Sequence, residues 1–292
     1  MFSDSITWYL FLGGGGAGTV TVLALCDLLF GRWSKRPEHL RPRWTGQLSS
    51  GFFMRGYLLA GGAPVLGALC LLRDLAHPER FLYVLLYPTF SVLTFGSYVL
   101  SATVACAVAL GGIALFGTAR TPVVLVRALE ACAVVFGMST MAYTGVLLSE
   151  IGFVPLWGSP LLPVLFTCSS LSVGAAVALA GAWPSAAETP HLMRALSRAD
   201  SVLIVVEAVA LAAYLAFAAL ALGQGGAVET LLTGPNAGLF WIGFVGAGLA
   251  GPLALDAAYA VTRTPPFLAV AVPFVLVGGF FLRYCIVNVQ FV

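Results

Sequence analysis

The sequence predicts an all-α membrane protein with eight transmembrane helices arranged as two four-helix bundles. Hydrophobic residues make up 60% of the 292 positions and charged residues only 9%, whereas soluble domains carry about 25% charged residues. The apolar residues form eight long runs, and a helix needs about 20 of them to cross a bilayer. The connections between the runs are mostly short, which favours an up-and-down bundle.

We expect a single integral membrane domain over residues 1–292. The first apolar run is too long for the apolar core of a signal peptide and no basic segment precedes it, so we interpret it as a span. The predicted spans cover approximately residues 6–30, 51–73, 91–117, 123–150, 160–183, 200–222, 237–260 and 266–289.

The distribution of Lys and Arg predicts the orientation. The loops after the odd-numbered spans hold most of the cations, including Arg32, Arg194, Arg198 and Arg263, whereas the opposite loops hold Arg73 and Arg80. By the positive-inside rule the odd loops are cytoplasmic, which places both termini and the end of the fourth span on the outer side. The basic first loop fits contact with anionic lipid. We expect no nucleic-acid partner.

The cysteines and histidines exclude several kinds of redox centre from this protein. The six cysteines lie in apolar runs without a C-x-x-C pair, and the three histidines fall in connecting segments. Iron–sulfur clusters and zinc sites need grouped ligands, and a transmembrane haem needs axial histidines on helices. We therefore expect no metal site, no haem and no iron–sulfur cluster in this protein.

The first two spans carry features that favour close helix packing. Gly14 and Gly18 form a small-xxx-small pair, which favours contact with another helix over approach of a ligand. Trp8 and Tyr9 precede them and fit an aromatic belt at the interface.

Pro64 predicts a kink in the second span. That span ends in a charged stretch, Arg73–Arg80, which forms either exposed ion pairs or a polar mouth beside the end of the fourth span.

The end of the fourth span combines apolar residues with a polar stripe. Ser139, Tyr143 and Glu150 are spaced by four and seven residues, so they share one helix face. Such a stripe is able to hold the head group of a lipid-soluble ligand. The alternative is that Tyr143 only anchors the helix at the interface, as aromatic residues often do.

Ionisable residues also occur at membrane depth, where they are costly and indicate function by default. Arg283 lies near the outer end, level with Tyr143. One interpretation is structural ion pairing with Arg55 or Arg127, and the other is a partial proton path from the cytoplasm. The candidates for that path, all in the cytoplasmic half, are Asp27, Arg55, Glu130, Glu207 and Asp256.

Several segments together resemble the polysulfide-reductase/NrfD-type membrane subunit family. They are Tyr143–Ser149 (YTGVLLS), Pro155–Trp157 (PLW), Pro160–Phe166 (PLLPVLF), Asp74–Phe81 (DLAHPERF) and Trp8–Gly14 (WYLFLGG). The resemblance covers the whole eight-span layout. It implies a membrane anchor of a respiratory complex in the cytoplasmic (inner) membrane of a bacterium or archaeon.

The resemblance also implies a quinone site near the outer face, for menaquinone or ubiquinone, and a role in anaerobic electron transport. An iron–sulfur subunit with four-iron clusters would dock there, with a molybdopterin catalytic subunit beyond it, so the terminal substrate is converted on another subunit. The family's quinone-site tyrosine corresponds to Tyr143. This protein lacks the Asn or His that some members carry on the first helix. The other quinone-site candidates are Trp8, Arg73, Asp74, His77 and Ser139.

Two alternatives stay open. Kinked helices and intramembrane acids also suit a secondary transporter, although no inverted repeat is visible and the polar groups divide between two surfaces. A purely structural anchor would differ from the redox anchor only in not binding quinone.

Overall fold

The computed structural model describes residues 4–30, 50–74, 91–116, 122–151 and 154–289. Within these ranges all regular secondary structure is helical, and there is no strand. Eight of the described helical segments are long and apolar enough to cross a membrane, which confirms the predicted fold class. They are Ser5–Leu29, Gly51–Cys70, Val92–Phe116, Val123–Glu150, Leu162–Ser185, Pro190–Leu220, Leu239–Thr262 and Pro266–Val287.

The helices pack as two sets of four. The first set is α1 (Asp4–Phe30), α2 (Ser50–Asp74), α3 (Val92–Phe116) and α4 (Val123–Ile151). The second set is α5 (Leu162–Ala182), α6 (Pro190–Leu220), a π-helix (Leu239–Ala250) continued by α8 (Gly251–Thr262), and α9 (Pro266–Val287). A short helix, α7 (Gly225–Thr233), joins α6 to the π-helix. The helices α1 and α5 pack against each other where the two sets meet.

Successive spans run in alternate directions, so the bundle has two ends. We call the end where α1 begins and α9 finishes the terminal face, and the other end the basic face. At the basic face, the Arg127 guanidinium near the start of α4 donates to the carbonyl of Leu28 near the end of α1. At the terminal face, the indole of Trp157, which follows α4, donates to the carbonyl of Ile286 near the end of α9.

Glycines allow the two sets of helices to touch at backbone distance. A Cβ at Gly18 of α1 would overlap the backbone of Ser170 in α5, and a Cβ at Gly174 would overlap the backbone of Gly18. Gly16 lies against the Pro64 ring. A Cβ at position 16 would overlap that ring and would lie 2.9 Å from the carbonyl oxygen of Ala60. Proline at position 64 removes the donor that this carbonyl would otherwise accept from within the helix. The glycine-rich run thus serves helix contact, as predicted.

The second set differs from the prediction in three places. The sequence placed Arg194 and Arg198 in a loop, but α6 begins at Pro190 and contains both. Proline is favoured in the first helical turn, where its missing N–H has no intrahelical partner, so the helix extends beyond its apolar part. The short helix α7 was not predicted. Neither was the π-helix, because the periodicity of a wholly apolar run does not distinguish α from π geometry.

Candidate functional site

Tyr143 lies in the half of α4 nearer the terminal face, and its side chain is only 3% exposed. Its ring packs against Gly96 of α3, where a Cβ would overlap the ring atoms. Within the described part of the chain the hydroxyl has no hydrogen-bond partner. The phenol of Tyr9 on α1 lies beside it without completing a hydrogen bond of good geometry. The two phenols thus lie side by side in the core, and the Tyr143 hydroxyl is buried without a hydrogen bond of good geometry.

Other predicted quinone-site residues are placed differently. Ser139 donates its hydroxyl to the carbonyl of Val135, one turn back along its own helix, at 2.8 Å. Trp8 is 43% exposed and packs its ring against Phe280 of α9, with 4.5 Å between the centroids. The structure therefore brings Tyr9 to Tyr143, while the aromatic contacts of Trp8 are on the α9 side of α1.

The polar end of α2 is only partly described. The backbone of α2 continues to Asp74, but the side chains of Arg73 and Asp74 and the whole of His77 lie outside the described residues. Their roles stay predictions.

The sequence missed Tyr9 as a site residue because it assigned this residue to an interfacial belt. Tyr9 is buried, so that assignment is wrong for Tyr9, whereas the exposed Trp8 fits it. Neighbours on a helix point about 100° apart, and only the position of α4 reveals which of the two faces the core. Gly96 was missed as well, since nothing in the sequence of α3 indicates that a tyrosine from another helix fills its side-chain space.

The segment after α4 fixes the terminal-face end of this helix to the second set. Trp157 is fully buried and its indole donates to the carbonyl of Ile286 at 2.8 Å. The hydroxyl of Tyr214 on α6 donates to the carbonyl of Leu156 at 2.9 Å. Gly145 packs against the backbone of Pro163, where a Cβ would not fit. Leu156, Trp157 and Pro163 thus connect the helix that carries Tyr143 to the second set.

Near the basic face, the first set of helices buries an acidic cluster made of Asp27, Glu130 and Tyr57, which lie on α1, α4 and α2. Asp27 and Arg127 are the charged neighbours of Glu130. Neither carboxylate oxygen of Glu130 has a hydrogen bond of good geometry to a described residue. Burying an ionised carboxylate without a hydrogen bond is costly.

Arg55 does not bond to these acids. Its guanidinium donates to the carbonyl of Gly51 at 2.9 Å and to the hydroxyl of Ser185 at 3.3 Å. Within the described residues it therefore joins the start of α2 to the end of the second set's first helix, instead of neutralising a carboxylate.

The second set of helices buries a separate polar line along α6. Asp200, Glu207 and Tyr214 are spaced by seven residues and are all buried, as expected for one helix face. The sequence predictions omitted Asp200, because they began this span at residue 200. The spacing of seven is the signal that identifies the three as a set.

Arg283 of α9 lies fully buried beside Glu207. Its guanidinium donates to the hydroxyls of Ser169 and Ser170 at 3.2 and 2.7 Å, and to the carbonyl of Gly279 at 2.7 Å. It also lies over the rings of Phe11 and Phe166. A charge buried in this way needs acceptors around it. The two serines and the Gly279 carbonyl supply them, and Glu207 lies within electrostatic range.

Asp256 of α8 is buried, and each of its carboxylate oxygens accepts one hydrogen bond. Its Oδ1 accepts from the hydroxyl of Ser197 at 2.8 Å, and its Oδ2 accepts from the hydroxyl of Ser201 at 2.7 Å. Two hydroxyl donors favour the ionised carboxylate. Among the described residues, no group of three or more His, Cys, Asp or Glu side chains is arranged to hold a metal ion.

Comparison with known proteins gives matches along the whole length of the protein. The family described as "Polysulphide reductase, NrfD" matches residues 1–291. "Protein NrfD" of Escherichia coli (strain K12) is 30% identical over 317 aligned positions, which cover 97% of this protein and 94% of that one. The C subunit of the polysulfide reductase of Wolinella succinogenes is 29% identical over 303 positions, covering 96% of this protein and 91% of that one.

Proposed function

We propose a function for this protein from one premise that the full-length match establishes: it belongs to the polysulphide reductase NrfD family. It is a multi-pass membrane subunit, and the proposal is that it anchors a respiratory oxidoreductase complex in the cytoplasmic membrane of a prokaryote. It binds quinone or quinol near the terminal face and exchanges electrons with an iron–sulfur partner subunit. The positive-inside rule makes the terminal face the outer one.

The unpartnered hydroxyl of Tyr143 is the observation that carries this proposal. A buried polar group without a hydrogen bond costs about 1–3 kcal/mol, and a bound ligand that accepts from the hydroxyl would remove that cost. The surrounding core includes Tyr9, Leu10, Leu148 and Trp157. A single hydroxyl donor surrounded by apolar side chains suits a ligand that carries carbonyl acceptors on a flat apolar ring, as quinones do.

Tyr143 donates to the ligand in this proposal, and Tyr9 is the second phenol within reach of the same space. A bound quinol supplies electrons and protons together. Arg73, Asp74, His77, Trp8 and Ser139 stay predicted members of the site, with His77 or a carboxylate of α2 as the group that accepts a proton at the outer surface.

Electron transfer needs a partner in this account, because the six cysteines and three histidines offer no arrangement for a cluster or a haem. The polysulfide reductase relative is, by its name, one subunit of a reductase with several subunits. We propose that an iron–sulfur subunit with four-iron clusters docks on the terminal face, with a molybdopterin catalytic subunit beyond it.

The buried acids support a proton route in this proposal. Asp27 and Glu130 belong to the same helix set as Tyr143 and lie on its basic-face side, with Arg55 nearer the start of α2. Glu207 and Asp256 are the corresponding candidates in the second set. Ionisable groups at membrane depth serve ion or proton movement by default, and their burial in separate clusters gives each helix set its own acids.

The test is Tyr143→Phe in the purified complex, with quinol oxidation and binding of a quinone-site inhibitor as readouts. Loss of one hydrogen bond of about 1 kcal/mol predicts roughly fivefold weaker binding and slower turnover. Tyr284→Phe is the matched control, since Tyr284 lies in the terminal half of α9 and stacks on Phe280. Unchanged binding and turnover in Tyr143→Phe would refute the proposal, and uptake of a solute by this subunit alone in liposomes would favour a transporter.

A further inference from the structure

The facing sides of α6 and α8 bring two carboxylates and two hydroxyls together inside the second helix set. Ser197 and Ser201 are one turn apart on α6, and both donate to the carboxylate of Asp256 on α8. Asp200 lies between the two serines in sequence and on the same side of α6. Asp256 is the charged residue with the strongest electrostatic effect on Asp200. We call these four residues the α6–α8 site.

Asp200 is the unusual member of this site. It is 1% exposed, and neither of its carboxylate oxygens accepts a hydrogen bond from any described residue. Asp256 has two donors and Asp200 has none, although both carboxylates are buried in the protein. An isolated buried carboxylate is strongly unfavourable, so Asp200 needs either a proton or a bound cation.

A protein cation does not fill this role among the described residues. Arg283, the buried cation of the second set, donates to Ser169, Ser170 and Gly279 instead, and its charged neighbour is Glu207. In the described part of the chain, the α6–α8 site therefore has two acids without an arginine or lysine bonded to either of them.

The donor set indicates which ligand fits. A proton shared by the two acids would form a hydrogen bond between them, but Asp200 has none and both oxygens of Asp256 already accept from serines. Each carboxylate oxygen and each serine oxygen retains a lone pair for a ligand. Two serines lie on Asp256, and the unpartnered Asp200 is buried within electrostatic range of it. Hard cations bind to such oxygen ligands. Ca²⁺ takes six to eight of them, usually with water, and Mg²⁺ requires near-octahedral geometry. A small site with few ligands therefore favours a monovalent hard cation.

We propose that Asp200 and Asp256, with Ser197 and Ser201, bind a sodium ion between α6 and α8. Coupling-ion sites of transporters also lie inside the helix bundle, where backbone carbonyls of broken helices supply many of the ligands. The site lies fewer than two turns from the basic-face end of α8, so the ion exchanges with that side. Sodium at this site would take Asp256 out of the proton route proposed above and leave Glu207 as the candidate in the second set. The site does not depend on quinone binding.

The experiment uses the full-length protein with any subunits that purify with it. Radioactive ²²Na⁺ binding is measured at equilibrium, and thermal unfolding is followed in NaCl, KCl or choline chloride at equal ionic strength. We expect saturable ²²Na⁺ binding that excess NaCl displaces and KCl does not. A ligand that binds only the folded state stabilises it by mass action, so the unfolding temperature should rise with NaCl alone.

Variants locate the ion. Asp200→Asn should abolish both the ²²Na⁺ binding and the sodium-specific stabilisation, and Ser201→Ala should weaken them. Glu229→Gln, an acidic residue on the exposed surface of α7, should leave both unchanged. If Asp200→Asn does not fold, the wild-type competition among Na⁺, K⁺, Ca²⁺ and Mg²⁺ and the Ser201→Ala variant still decide the question.

Three results would overturn the proposal. The first is wild-type protein that binds no ²²Na⁺. The second is a shift caused by Ca²⁺ or Mg²⁺ and not by Na⁺. The third is an infrared band of a protonated carboxyl that disappears in Asp200→Asn, which would return this site to the proton route. Tyr143→Phe should keep the sodium binding, so failure of the quinone proposal and failure of the sodium proposal give different results.

Discussion

The contact between Gly96 and the ring of Tyr143 gives a quantitative test of how the ligand-binding hydroxyl is held. Gly96→Ala places a methyl group where the ring lies, because a Cβ at this position would overlap the ring atoms. Glycine to alanine within a helix is worth roughly 0.5–1 kcal/mol in favour of alanine, whereas overpacking a core costs about 1–3 kcal/mol. We therefore expect a net loss of about 1–2 kcal/mol in stability.

Inhibitor binding should weaken in this variant as well, because the methyl group displaces the Tyr143 ring and moves its hydroxyl away from the ligand. The matched control is Gly112→Ala on the same helix, where a Cβ would have no neighbour within 4 Å. Thermal unfolding in detergent and titration with a quinone-site inhibitor are the two assays. Gly112→Ala should be neutral or slightly stabilising and should bind the inhibitor normally, while Gly96→Ala should lose stability and bind it at least several-fold more weakly.

A double-mutant cycle isolates the contact from other effects of the methyl group. In a Tyr143→Ala background the overlap is gone, so adding Gly96→Ala should cost nothing further. The packing account is refuted if Gly96→Ala behaves like Gly112→Ala in both assays, or if its cost persists after the Tyr143 ring is removed.

Three further predictions concern the Trp157 hydrogen bond, the buried Arg283 and the acidic cluster. Trp157→Phe removes the hydrogen bond to Ile286 and should lower stability by about 1 kcal/mol or more. The control, Trp183→Phe at a half-exposed position, should leave stability unchanged. Thermal unfolding in detergent measures both variants. Arg283→Gln removes the three hydrogen bonds of the guanidinium and the positive charge near Glu207. It should lower stability by about 1–3 kcal/mol, and the double variant with Glu207→Gln should recover part of that loss in the same assay. Glu130→Gln should slow quinol turnover while inhibitor affinity stays unchanged, and equal turnover would argue against a proton role.

The spans were predictable because a bilayer imposes a length on every apolar helix. The Gly14 and Gly18 pair was predictable too, since small residues four apart rarely serve any purpose but close contact in a membrane helix. Tyr143 could be singled out because a polar residue interrupts an apolar helix end. Each of these features is carried by one segment of sequence alone.

The remaining site residues depend on how helices face one another. Tyr9 is buried and Trp8 exposed only because α4 lies on one side of α1. Gly96 matters only because a ring from α4 fills the space at its Cα. Asp200 became visible as a partner of Asp256 only when α8 was placed against α6. Such relations between helices have no local signature, particularly in uniformly apolar segments where one face resembles another.

The most direct measurement of the central claim is to purify the wild-type protein gently from its native membrane and quantify quinone, iron, molybdenum and co-purifying proteins. We predict bound quinone together with an iron-rich partner subunit, and that partner would identify the terminal substrate chemistry. A protein that survives mild detergent intact but carries neither quinone nor an iron-containing partner would contradict the account and leave Tyr143 as an anchor of its helix.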